Sequence, residues 1–114
     1  MKDDVIIITG AAMGLGLAAA REFASRGAHL ALVDYNSESL EAARDTIAKQ
    51  FTDVKAIAVT ADVSNESAVK GYVDETVNAF GRIDGLYNNA GIEGRQASIT
   101  GPASRSMMSA FSKK

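Results

Sequence analysis

Three groups of residues in this sequence have types and spacings suited to holding a ligand. The first is Thr9-Gly10-Ala11-Ala12-Met13-Gly14-Leu15-Gly16, a G-x-x-x-G-x-G run that follows the apolar stretch Val5 to Ile8. Glycines in such a place allow a tight turn, a close approach of backbone to ligand, and close packing of the next helix on the strand. The amides that open that helix then face an anion with the positive end of the helix dipole behind them. A pyrophosphate suits that position, and a glycine-rich turn without a ligand is the alternative. The second feature is Asp34, 20 residues after Gly14 at the end of the next apolar run. A carboxylate there can accept hydrogen bonds from both ribose hydroxyls of an adenosine, or it can simply open a turn. Loop and acid together, in this order, favour dinucleotide binding. The acid also selects the cofactor: it repels a 2′-phosphate, and Ala11, Ala12, Met13 and Tyr35 offer no cation to offset that repulsion. NAD is therefore expected over NADP. The third feature, Asn88-Asn89-Ala90-Gly91, ends the fourth apolar run, where a ligand edge would lie, but by itself it reads more readily as a turn.

The elements that must position these residues alternate in period. Val5 to Ile8 is a continuous β-branched run, the composition of a strand buried on both faces. Leu15 to Arg26 is alanine-rich and reads as a helix, with Gly27 placed to cap it. His29 to Val33 is a second strand ending at Asp34. Asn36 or Ser37 can cap a helix whose apolar residues Leu40, Ala43, Ile47 and Phe51 share one face. Val54 to Thr60 is a third strand. Ser64 is placed to cap a third helix with Val69, Tyr72, Val73, Val77 and Phe80 on its buried face and Gly81 at its end. Ile83 to Tyr87 is a fourth, shorter strand. Each βα unit takes between 23 and 29 residues, enough for a right-handed crossover between parallel strands. The fold class is α/β: a Rossmann-like, doubly wound parallel sheet cut off after its fourth strand.

Composition narrows the function classes. The 114 residues are 46% apolar and 23% charged, the balance of an ordinary globular domain. A net charge of −2 attracts neither nucleic acid nor an anionic membrane. With no cysteine and one histidine, thiolate zinc sites, thiol nucleophiles and multi-histidine metal sites are excluded. No apolar run is long enough to cross a bilayer, and Asp3-Asp4 precedes the first one, unlike a secretory signal. A soluble, cytoplasmic protein is expected. His29, at the start of the second strand, lies at the end of the sheet away from the ligand edge and is expected to be structural or solvent-facing rather than catalytic. Asp3, Asp4 and Asp84 read as solvated charges.

Taken together, Thr9-Gly10-x-x-x-Gly14-x-Gly16, Asp62-Val63 after the third strand, and Asn88-Asn89-Ala90-Gly91 after the fourth resemble the short-chain dehydrogenase/reductase family over residues 5–91. The resemblance implies that Gly10, Ala12, Met13, Gly14, Leu15 and Gly16 hold the pyrophosphate. It implies that Asp62 and Val63 border the adenine, and that Asn89, with Ala90 and Gly91, lies beside the ribose while steadying the sheet. It also implies a catalytic Ser, Tyr and Lys, the Lys four residues after the Tyr. Tyr35, Tyr72 and Tyr87 are followed at that interval by Ser39, Thr76 and Gly91, so none qualifies. No Asn follows Asn89 to match the family's further asparagine. No catalytic residue is assigned within these 114 residues.

Residues 1–91 thus read as NAD-binding βα units. Residues 92–114 read as an irregular tail with six serines and threonines, the only proline, and a short helix compatible with Ser104 to Phe111. The first functional expectation is the NAD-binding portion of a short-chain dehydrogenase/reductase-like oxidoreductase, truncated and without hydride transfer of its own. A non-catalytic nucleotide-binding or interaction module is the second. An S-adenosylmethionine-dependent methyltransferase fragment is the third, disfavoured because that class prefers a GxGxG loop and does not require Asn-Asn-Ala-Gly. Ending near residue 91 is expected to leave the fourth strand as an exposed edge through which copies self-associate.

Overall fold

The computed structural model describes residues 1–63 and 65–89 together with the backbone of Ile99 and Thr100. Four parallel strands form its sheet: β1 (Val5–Thr9), β2 (His29–Asp34), β3 (Ala56–Thr60) and β4 (Gly85–Asn88). They are joined by α1 (Gly14–Ser25), α2 (Ser37–Gln50) and α3 (Glu66–Phe80). A two-residue strand, β5 (Ile99–Thr100), runs antiparallel to β4, giving the order β3-β2-β1-β4-β5. The edge expected at β4 is therefore paired opposite Leu86 and Tyr87. The division at residue 91 and the short helix over 104–111 lie outside the described residues.

The doubly wound arrangement follows from β1 and β2, whose residues are buried on both faces apart from half-buried His29. Ile6, Ile8, Leu30 and Leu32 pack with Phe23 of α1 and with Leu40 and Ile47 of α2. Ile7, Ala31 and Val33 point the other way and pack with Tyr72 of α3. The two helices on one face and the single helix on the other thus share a sheet only one residue thick.

Local signals hold at most helix ends. Gly27 (φ 91°) follows α1, its N–H donating to Ala24 C=O at 2.9 Å and that of Ala28 to Phe23 C=O at 3.1 Å. This paired arrangement satisfies carbonyls the helix leaves over. Asn36 caps α2 by accepting the Ser39 N–H at 2.9 Å. The third helix is capped one residue later than expected, by Asn65, which accepts the Ser67 N–H at 2.9 Å; Ser64 lies outside the described residues. The third and fourth strands also begin two residues later than their apolar runs. At β3 the reason is local: Val54 N–H donates back to Phe51 C=O in the preceding turn.

The buried face of α3 differs from the expected stripe. Tyr72 and Thr76 are buried, Val73 and Phe80 half-buried, and Val69 and Val77 exposed at 38% and 43%. Thr76 tolerates burial because its hydroxyl donates to Tyr72 C=O at 2.7 Å, so no polar group is stranded. The helix is rotated so that its contact with the sheet centres on Tyr72 and Thr76, leaving two valines on its flank.

Candidate nucleotide-binding site

Strand register brings the singled-out residues to one edge. Thr9 pairs with Val33 on one side and with Asn88 on the other, and Asp34 pairs with Thr60. The glycine loop, Asp34, Asp62-Val63 and Asn89 therefore all leave the sheet at its C-terminal edge, where open α/β sheets bind ligands.

The loop is shaped by glycine where nothing else fits. Gly10 and Gly14 have φ of 65° and 61°, the left-handed region that favours glycine. Gly16 meets a different constraint: a Cβ there would stand 2.0 Å from Gly10 O and 2.7 Å from Gly10 C, both backbone. The start of α1 is thus pressed onto the loop. Met13, at the N-cap, makes no side-chain cap bond, and no acid lies in the first turn. The opening amides of α1 keep their capacity for an external anion. Met13 and Leu15 are exposed beside them, at 64% and 41%.

Asp34 is nearly buried, at 9% exposure. Its Oδ2 accepts the Ala12 N–H at 3.1 Å, and its Oδ1 accepts the Asn36 N–H at 3.3 Å. A carboxylate has about four acceptor positions, so both oxygens retain capacity for further donors. Its own C=O accepts the Ala61 N–H at 2.9 Å, which ties the loop carrying Asp62 and Val63 to the end of β2. Val63 is half-buried against the α3 side of the core and Asp62 is exposed.

Thr9, which in the sequence only leads into the glycine run, organises the far side of the edge. Fully buried, it donates from Oγ1 to Asn88 Oδ1 at 2.9 Å and accepts the Asn89 N–H at 3.0 Å. The signal available in the sequence was a hydroxyl residue closing a wholly apolar strand. Ala90 and Gly91 lie outside the described residues.

The opposite edge carries no such arrangement. His29 Nδ1 accepts the Lys55 N–H at 3.0 Å, its Nε2 lies 3.3 Å from Asp3 Oδ1, and its ring stacks on Phe80 with centroids 5.9 Å apart. Those contacts give it the structural role expected. Asp84 corrects an expectation: far from solvated, it is buried, accepting the Val5 N–H at 2.8 Å and paired with Arg82 at 2.6 Å. The Arg82 guanidinium holds the Asp84 carboxyl below its ordinary range, against the opposing effect of burial and with help from the Val5 N–H. Burial alone raises the Tyr72 and Tyr87 phenols. Among the described residues no cluster of three or more metal-ligating side chains occurs, and no helix is long and apolar enough to cross a membrane.

Strand order β3-β2-β1-β4, a glycine loop leading into a helix N-terminus and an acid closing β2 define a Rossmann-like nucleotide-binding fold. The short chain dehydrogenase family model matches residues 4–112, and the chain belongs to that family. Levodione reductase of Leifsonia aquatica is 49% identical over 94 residues, which make up 82% of this chain and 35% of that protein. The crystal structure of NAD+-bound xylitol dehydrogenase superposes with a TM-score of 0.75 at 42% identity, over 82% of this chain and 35% of the other. That of L-sorbose reductase from Gluconobacter frateurii, complexed with NADPH and L-sorbose, gives 0.77 at 36% identity, over 80% and 34%. The chain spans about a third of the length of these relatives.

Proposed function

We propose that this chain is the NAD-binding portion of a short-chain dehydrogenase/reductase oxidoreductase. The observation that carries the proposal is the meeting of the Gly10–Gly16 loop with Asp34 at the C-terminal edge of the sheet, through the Ala12 N–H to carboxylate bond. The residues fit a dinucleotide: the Gly16 position has no room for a Cβ, and the first turn of α1 has no side-chain cap. Gly10, Ala12, Met13, Gly14, Leu15 and Gly16 would hold the pyrophosphate, Asp34 the adenosine ribose, Asp62 and Val63 the adenine, and Asn89, Ala90 and Gly91 the second ribose. When bound, the nicotinamide group supplies hydride chemistry. This chain's own part is to hold the dinucleotide through its pyrophosphate, adenine and riboses and to fix the choice of cofactor.

Relatives carry both NAD and NADPH, so the preference rests on Asp34. Its carboxylate accepts from ribose hydroxyls and repels a 2′-phosphate, and the neighbouring Ala11, Ala12, Met13 and Tyr35 bring no positive charge. Calorimetric titration should give tighter binding of NAD than of NADP; equal or tighter NADP binding would refute the assignment. Proton transfer needs a positioned acid and base near the substrate, and the 114 residues contain no Tyr-x-x-x-Lys pair. The chain by itself is therefore proposed to bind the dinucleotide without turning over a substrate. The exposed Val69 and Val77 on α3 support weak self-association, readable by sedimentation velocity.

A further inference from the structure

We infer that Asp34 is a positioning residue for the pyrophosphate loop as well as the acceptor for ribose. The inference rests on the dinucleotide reading of the same site. At the end of β2, two consecutive loop amides turn sideways toward that strand. Ala11 N–H donates to Val33 C=O at 3.2 Å, and Ala12 N–H donates to Asp34 Oδ2 at 3.1 Å. The first of these is backbone to backbone and survives any substitution at position 34. The second is buried, joins residues 22 apart in sequence, and depends on a side-chain acceptor.

The brace acts at a sensitive point. It lies between Gly10 and Gly14, the two loop residues in the left-handed region. Glycine gains its turn at the expense of stiffness, since it visits both signs of φ with little preference. A path through two such residues is not self-supporting and needs an external anchor between them. Ala12, itself 8% exposed, is that anchor point. The Oδ1–Asn36 bond holds the carboxylate from its other side, so its orientation is set before any ligand arrives. With the Ala11 and Ala12 amides committed to β2, Ala12 would serve the pyrophosphate by fixing the shape of the loop, and Met13 to Gly16 would offer it their amides.

Two variants separate this role from charge. Asp34→Ala and Asp34→Asn both remove a negative charge close to the anion, and by Coulomb's law alone both should tighten pyrophosphate binding alike. Only Asn keeps an acceptor oxygen for the Ala12 N–H. The probe is inorganic pyrophosphate, which has no ribose for Asp34 to contact, titrated against the full chain and followed by amide chemical shifts. Asp34→Asn should bind it as well as or better than the unaltered chain, and Asp34→Ala roughly tenfold more weakly than Asp34→Asn, the size of one lost hydrogen bond. A hydrogen-bond-mediated NMR coupling between the Ala12 amide nitrogen and the Asp34 carboxyl carbon in the unaltered chain tests the brace without relying on a variant that must fold. If pyrophosphate and NAD bind, but the two variants behave alike or the coupling is absent, the positioning role is overturned and the dinucleotide reading stands. If the unaltered chain binds neither NAD nor pyrophosphate, the reading itself fails and takes this inference with it.

Discussion

Gly16→Ala is a one-methyl change whose consequence can be worked from the geometry. The new Cβ would stand 2.0 Å from Gly10 O, 2.7 Å from Gly10 C and 3.2 Å from Ala11 Cα. A carbon and a carbonyl oxygen settle at about 3.3 Å or more. Helix and loop must therefore separate by roughly 1.3 Å, and both partners are backbone, so no side chain can swing aside. Overpacking of this kind costs about 1–3 kcal/mol, and the gain in helix propensity on replacing Gly returns at most about 1 kcal/mol. Binding suffers more than stability. Amide–phosphate bonds are made near 2.9 Å, so a displacement of roughly 1.3 Å breaks those whose donors move. Each bond to a charged acceptor is worth about 1.5 kcal/mol or more, so each loss weakens NAD about tenfold. Gly14→Ala is the built-in comparison. It has the strained φ of 61° but nothing within 4 Å of its Cβ, so it should cost only about 1–2 kcal/mol of backbone strain. Urea denaturation and calorimetry on both variants make the test. A Gly16→Ala chain that matches the unaltered one in stability and NAD affinity would show that helix and loop are not in the contact described.

Asp34→Ala should narrow the gap between NAD and NADP, because the acceptor for ribose and the repulsion of a 2′-phosphate disappear together; an unchanged ratio in calorimetry contradicts the role given to the carboxylate. A panel of alcohols and ketones followed at the NADH absorbance should show no turnover by the chain alone, and activity that persists through purification and vanishes in Gly14 or Asp34 variants would overturn this. Asp84→Ala strands the buried Val5 N–H and should cost about 1–3 kcal/mol in chemical denaturation, whereas Asp84→Asn should cost less because it keeps an acceptor. The same carboxyl is held below its ordinary value by Arg82, so its contribution is complete above about pH 4 and fades as acid protonates it in the folded chain. Acid melts of the unaltered chain should therefore fall more steeply below that pH than those of Asp84→Asn.

Much of this protein is decided by short-range physics and so is legible residue by residue. β-branched runs buried on both faces, glycines that stop helices, Asn36 as a cap and the G-x-x-x-G-x-G spacing each depend on a few neighbours in the chain. Once those units are parallel, their C-terminal ends must meet, and the ligand edge follows. A residue's role is hidden from its local sequence where the deciding partner is distant. Asp84 looks like any loop acid until its bond to Val5, 79 residues away, puts it in the interior. Thr9 gains its role only because β4 lies beside β1. The valines of α3 fit a helical stripe as well as Tyr72 and Thr76 do, and only docking on the sheet chose between them. Periodicity specifies that a face is apolar; how far the helix is rotated is set by the surface beneath it. For the same reason Asp34 could be read from spacing as a ribose acceptor, whereas its grip on Ala12 exists only where β1 and β2 lie side by side and the loop bends back across them.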